Sequence, residues 1–176
     1  MNSDITIRDE RTDDIPFITK VTLTAFSTLE ISDHTEHWVI DALRDAGALT
    51  LSLVAVSDGQ VVGHIAFSPV SVSDGTQGWY GLGPVSVLPD FQSQGIGSAL
   101  INEGMSRLKA LKAKGCCLVG HPSYYPRFGF KNIAQLSVDG IPQEAFFVYS
   151  FDGTYPSGKV QFHPAFFAPK EGLPKV

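Results

Sequence analysis

Two short stretches of this chain carry groups whose type and spacing suit chemistry. The first is Gln92-Ser93-Gln94-Gly95-Ile96-Gly97, set between an extended apolar run, 79–87, and a helical pattern over 98–114. A glycine loop that joins a strand to a helix presents unpaired backbone N–H groups at the positive end of a helix dipole. That is an anion site, suited above all to phosphate. Gly95 and Gly97 have no Cβ and let an oxyanion approach the backbone, and Gln92 can add an amide N–H. The bland alternative is an ordinary strand-to-helix turn with two glycines. The second stretch is His121-Pro122-Ser123-Tyr124-Tyr125-Pro126-Arg127. Tyr125 carries a phenol, ordinary pKa ~10, that can donate a proton to a basic leaving group. Its other role is a core aromatic with its hydroxyl at the surface; Tyr124 reads as packing. His121, with an ordinary pKa of ~6.5, suits a general base or else caps the turn that Pro122 starts. His64, Glu36 and His37 are weaker candidates, read first as a satisfied strand histidine and solvated helix residues.

The elements that must position these groups follow from periodicity. Ile5 and Ile7 alternate with polar neighbours, as in a short strand. Thr12-Asp13-Asp14 caps a helix whose stripe is Ile15, Ile18, Val21, Thr22 and Ala25. Asp33 caps a second helix over 34–46 with Trp38, Val39, Ala42 and Leu43 inward and Gly47 as its stop. Three strands come next, 51–56, 61–72 and 79–87, the first two joined by the hairpin signal Asp58-Gly59. Pro84 cannot donate to a ladder, so inside the third strand it marks a bulge or a break in pairing. The helix after the glycine loop buries Ile96, Leu100, Ile101, Gly104, Met105, Leu108 and Leu111, and Gly115 ends it. A buried strand over 116–120 runs parallel to the third meander strand, since a helix connects them. A brief helix holds the two tyrosines, a strand begins near Phe130, and another spans 145–151. The remainder, 152–176, is a tail whose Tyr155, Phe162, Phe166 and Phe167 suit packing on the body, over a cleft or on the sheet away from it.

Composition narrows the function classes. A chain of 176 residues with 43% hydrophobic and 18% charged residues reads as one globular domain, 1–176, with its core at about 4–151. The net charge of −5, without a basic block, argues against nucleic acid or an anionic membrane surface as partner. The adjacent Cys116 and Cys117 point to opposite faces of a strand, so they neither bridge each other nor share a metal, and they read as reduced thiols. With no signal-peptide pattern and no run long enough to span a bilayer, a cytoplasmic location is expected.

Taken in order, these elements resemble the GCN5-related N-acetyltransferase (GNAT) superfamily. The residues that carry the resemblance are Val85-Ser86-Val87-Leu88-Pro89, then Gln92-x-x-Gly95-x-Gly97, then Tyr124-Tyr125-x-Arg127-Phe128-Gly129-Phe130. They match the family's pyrophosphate loop and its aromatic-Tyr-x-x-x-Gly-Phe signature, over roughly residues 4–151. The Gly120-His121-Pro122 lead-in and the aromatic tail are similar to a bacterial branch of N-acetyltransferases. The resemblance implies an α/β fold whose mostly antiparallel mixed sheet, flanked by helices, splays between its fourth and fifth strands. It implies acetyl-CoA as co-substrate, no metal, and a primary amine on a small molecule or peptide as acceptor; it leaves a homodimer open. It places the pantetheine arm against the backbone of Val85 and Val87. The pyrophosphate falls at Gln92 and the amides of Gln94, Gly95, Ile96, Gly97 and Ser98, with Arg127 beside them. It makes Tyr125 the general acid. Two departures leave the base open: Gly120-His121 stands where the family often has Asn, and the strand 79–87 carries no Asp or Glu. A non-catalytic acyl-CoA sensor on the same fold is the alternative. A dinucleotide-binding oxidoreductase fits poorly, because Leu100 replaces the third glycine and no acid follows Cys116-Cys117-Leu118-Val119.

Overall fold

The computed structural model describes residues 4–27 and 36–166. Its elements are β1 (Ile5–Asp9), α1 (Ile15–Phe26), α2 (Glu36–Asp45), β2 (Leu51–Ser57), β3 (Gln60–Pro69), β4 (Ser71–Val72), β5 (Trp79–Val87), α3 (Ile96–Ala110), β6 (Gly115–Val119), β7 (Leu136–Ser137), β8 (Phe146–Ser150) and β9 (Gly158–Gln161). The main sheet runs β1-β2-β3-β5-β6-β8, and every neighbouring pair is antiparallel except β5 with β6. A small second sheet orders β4-β9-β7. The mostly antiparallel mixed sheet with flanking helices is the fold class that the sequence implies. The short β4 is counted separately here, so the splay lies between β5 and β6.

The pairing of β5 explains that splay. Only Trp79, Tyr80 and Gly81 pair with β6, against Gly115, Cys116 and Cys117. Beyond them β5 stays with β3, while β6 follows β8. Opposite the two-residue step from Ile65 to Phe67, β5 takes three residues, from Leu82 to Val85, so a bulge sits at Gly83-Pro84. The break expected at Pro84 is therefore present, in a central strand.

The helices close the two faces. α3 buries Ile96, Leu100, Ile101, Gly104 and Leu108 against Leu53, Ile65, Phe67 and Leu82 of the sheet. On the other face α1 buries Ile18, Val21, Thr22 and Ala25, as its periodicity requires. Several details differ from the sequence reading. α3 ends at Ala110, and Leu111 is 56% exposed, because Lys112 turns into a positive φ of 64° and Gly115 already belongs to β6. In α2 it is His37, Val39, Ile40 and Leu43 that are buried, while Trp38 is 38% exposed and stacks on His37. The Asp33 cap lies outside the described residues. The strand expected over 61–72 divides after Pro69, because Val70 turns away and Ser71–Val72 joins β9 instead. Near Phe130 there is only one bridge, Lys131 to Val148.

Gly104 marks where α3 lies closest to the sheet: a Cβ there would fall inside the Phe67 ring. Gly104→Ala should lower stability by about 1–3 kcal/mol through overpacking, despite alanine's better helix propensity. Urea unfolding checks this, and a variant as stable as the parent would show that the helix can move out freely.

Candidate active site

The loop before α3 has the geometry of an anion cradle. Gly95 caps the helix in the left-handed region, φ 84°, which favours glycine. The first intrahelical bond runs from Ala99 N–H to the Gly95 carbonyl, 3.0 Å, so the N–H groups of Ile96, Gly97 and Ser98 stand ahead of it at the helix's positive end. They open on a cavity of about 540 Å³ that reaches the end of β5. Val85, Val87, Gln92, Gly95, Ile96, Gly97, Ser98 and Arg127 all lie on its wall. Arg127 is the basic side chain there, its guanidinium 4.6 Å above the Tyr124 ring and donating to the Tyr124 carbonyl at 2.9 Å. Gln94 is not on the wall; its amide turns back to the Asp90 carbonyl, 3.2 Å. Gln92 commits one amide N–H to the Val87 carbonyl, 3.0 Å, which ties the loop to the strand end.

Two wall residues that the sequence reading passed over are Ser98, as a side chain, and Tyr124. The Tyr124 hydroxyl lies 3.2 Å from Ser98 Oγ, so this ring is part of the cavity. Its place in a Tyr-Tyr pair gave no sign of which ring would face the loop.

Tyr125 lies over Gly120, just beyond the end of β6. Its ring packs edge-on against Tyr124 and Phe130, with Phe128 and Phe147 close by. Gly120 is required beneath it, since a Cβ at that position would overlap the ring. The hydroxyl has no hydrogen-bond partner among the described residues. Burial first, then neighbouring Tyr124, pushes its pKa up to about 12, so it stays protonated across the physiological range. Tyr125 faces a second cavity, of about 500 Å³, on the far side of Val85. Val85 lines both spaces, so they meet at one backbone position beside the bulge.

His121 is brought to neither cavity. It is exposed, and its Nδ1 accepts the Ser123 backbone N–H at 3.2 Å, with Ser123 Oγ at 2.7 Å. It caps the turn. His37 is buried on α2, whereas Glu36 stands on the wall of the second cavity.

His64 is fully buried on β3, at the end of a polar chain. Burial pushes the Glu10 carboxylate up, but Arg44, which donates to both its oxygens at 2.8 and 2.9 Å, and Ser52 together hold it below its usual range. The Ser52 hydroxyl then donates to Glu10 at 2.5 Å, which leaves its oxygen to accept from His64 Nε2 at 2.7 Å. The ring is thereby fixed with its proton on Nε2, and Nδ1 has no partner among the described residues. Burial lowers the His64 pKa from 6.5 to about 4. The charged groups facing it are Glu10 and Arg44; the buried face of α1 and the adjoining strands add none. A group that binds its proton more weakly when folded stabilises the fold fully above pH 6.5, and that stability is lost as pH falls toward 4. The expected loss is roughly 3 kcal/mol. Urea unfolding between pH 7 and 5 should show this slope, and His64→Gln should flatten it; an equal slope in the variant would place the titration elsewhere.

Among the described residues, no helix is long and apolar enough to cross a membrane, and no cluster of three or more His, Cys, Asp or Glu side chains forms a metal site. Known proteins agree with this architecture. Residues 49–132 match the model of the acetyltransferase (GNAT) domain. A GNAT family acetyltransferase of Brucella melitensis, crystallised with acetyl-CoA, is 48% identical and superposes with a TM-score of 0.83, over 92% of this chain and 97% of that one. The N-acetyltransferase YhbS of Escherichia coli, crystallised with CoA, is 32% identical with a TM-score of 0.84, over 93% of this chain and 92% of that one. In direct sequence comparison the same protein is 39% identical over 94 residues, 53% of this chain; that match spans about half, 56%, of the curated relative's length. By its loop, its splayed sheet and its relatives alike, the chain belongs to the GNAT acetyltransferase family.

Proposed function

We propose that this protein is an N-acetyltransferase that moves an acetyl group from acetyl-CoA to a primary amine by direct attack. One observation carries the reading: two cavities of different character meet at Val85. The first is lined by backbone N–H groups and Arg127, as a diphosphate requires. The second is largely apolar and receives Tyr125.

Acetyl-CoA, when bound, supplies the acyl thioester and a thiolate leaving group. The chain's own residues do the rest. The amides of Ile96, Gly97 and Ser98, with Arg127, bind the diphosphate, and the outer edge of β5 at Val85 and Val87 offers backbone groups to an extended arm. A backbone N–H near Val85 polarises the carbonyl as a fixed dipole that needs no reorganisation. Tyr125 holds a proton toward the leaving sulfur. With its pKa pushed up to about 12 it keeps that proton until the thiolate forms, and burial of the thiolate raises the sulfur's proton affinity too. His121 takes no step here, because its Nδ1 is held by Ser123. The amine's proton leaves through the second cavity to solvent, and a solvent proton restores the Tyr125 phenol once the thiol has departed.

The reading is tested by thiol release with a panel of primary amines beside calorimetry of donor binding. Turnover with any amine supports it. Tight donor binding without release of thiol for any amine would make the chain an acyl-CoA sensor.

A further inference from the structure

The second cavity has a chemistry of its own. One wall is apolar and comes from distant parts of the chain: Phe26 at the end of α1, Leu82 on β5, Val119 at the end of β6, Ile141, and Phe162 with Phe166 after β9. Phe162 and Phe166 pack on each other, ring centroids 5.6 Å apart. Gly81 lets Phe162 lie against β5, since a Cβ there would press on that ring at 3.0 Å. Among the described residues the charged groups on the cavity wall are both acids, Glu36 and Asp139, and no Lys, Arg or His side chain lines it. Lys159 pairs with Asp139 at 3.0 Å from outside the wall. At about 500 Å³ the space is of small-molecule size.

We infer that the acceptor is a small amine whose nitrogen is carried on an apolar body of about one aromatic ring or a branched alkyl chain, and that acceptors with a carboxylate are refused. This rests on the transferase reading above. The apolar wall removes such a body from water, and each methylene so buried favours it over a polar competitor by ~10-fold or more. Although Lys159 offsets Asp139 from outside, a described wall with two acids and no base receives an ammonium better than a carboxylate. The inner end, at Val85 and Tyr125, is where the nitrogen must arrive.

The probes are 2-phenylethylamine, ethanolamine and phenylalanine, with acetyl-CoA as donor. The KM for 2-phenylethylamine should lie at least ~10-fold below those of the other two. Glu36→Lys, at a half-buried site, should raise it about 10-fold and leave the donor Kd unchanged. Phe166→Ala should narrow the gap between 2-phenylethylamine and ethanolamine. Equal KM values for the three amines, a lower KM for a peptide N-terminus, or a Glu36→Lys variant with parental selectivity would overturn the inference while the transferase reading stands. If no amine releases thiol, that reading fails instead. Saturation-transfer NMR of the same amines on the protein then decides the cavity's preference: signal from 2-phenylethylamine and not ethanolamine supports it, and the reverse rejects it.

Discussion

Gly97→Asp should abolish donor binding and leave the fold intact. The position has room: a Cβ there would meet only the Tyr124 hydroxyl at 3.5 Å and a Val87 methyl at 3.9 Å. An acidic residue in the first turn of a helix is also favourable, so α3 should be at least as stable as before. The same carboxylate would lie on the cavity wall, accept from the local N–H groups and neutralise the helix's positive end. A diphosphate would then meet a negative charge where it needs donors. Isothermal calorimetry should show no heat with acetyl-CoA, while circular dichroism and the melting temperature match the parent. Parental affinity in a folded variant would move the diphosphate away from this loop.

Tyr125→Phe should lower kcat by about 10²- to 10⁴-fold and hardly change donor affinity. The ring is what packs against Phe130 and Phe147 and over Gly120, and phenylalanine retains it. The hydroxyl bonds to no described residue, so its removal leaves no buried partner unsatisfied. Its raised pKa also fixes the pH behaviour. The hydroxyl remains protonated up to about pH 12, so kcat of the parent should show no loss from this group between pH 7 and 10. Kinetics on a donor-saturated variant check both points, and an unchanged kcat would return Tyr125 to packing. Tyr124→Phe serves as the contrast: it removes the contact with Ser98 at 3.2 Å on the donor side and should act on donor affinity.

Much of the candidate site could be read before folding because the cavity at the glycine loop is built from consecutive sequence. The strand, the loop and α3 are consecutive, so hydrophobic period, glycine spacing and helix dipole located β5, Gly95 and Gly97 without knowledge of tertiary contacts. Pro84 announced its bulge for the same reason, since a missing N–H disrupts any ladder. What stayed hidden depends on distant partners. Which of two adjacent tyrosines faces the loop is decided by Gly120 and Phe147, not by either tyrosine's neighbours. Trp38 and Ile40 exchanged places because an apolar stripe on a short helix fixes its face only within a residue or so. His64 gave a strand histidine and nothing more; its tautomer follows from Glu10 and Arg44, which reach it through Ser52 from other elements. The three-stranded sheet of β4, β9 and β7 joins residues from 71 to 161, and two-residue strands carry no periodicity to detect.

The separation of β5 from β6 also bears on behaviour in concentrated solution. From residue 82 onward the outer side of β5 has no strand beside it among the described residues, so N–H and C=O groups remain there in an extended row. Such a row is a template on which a strand of another molecule can add, and proteins blunt exposed edges to avoid it. Pro84 withholds one donor, and the bulge at Gly83-Pro84 twists the row out of register. At residues 85–87 of that row only the Val87 carbonyl is engaged, by the Gln92 amide at 3.0 Å, and in the proposed reading this is the part against which an extended ligand would lie. In the proposed reading, the ligand arm and a foreign strand therefore compete for one edge. Storage with CoA should suppress strand-to-strand self-association at high protein concentration, in proportion to the fraction of molecules that carry it.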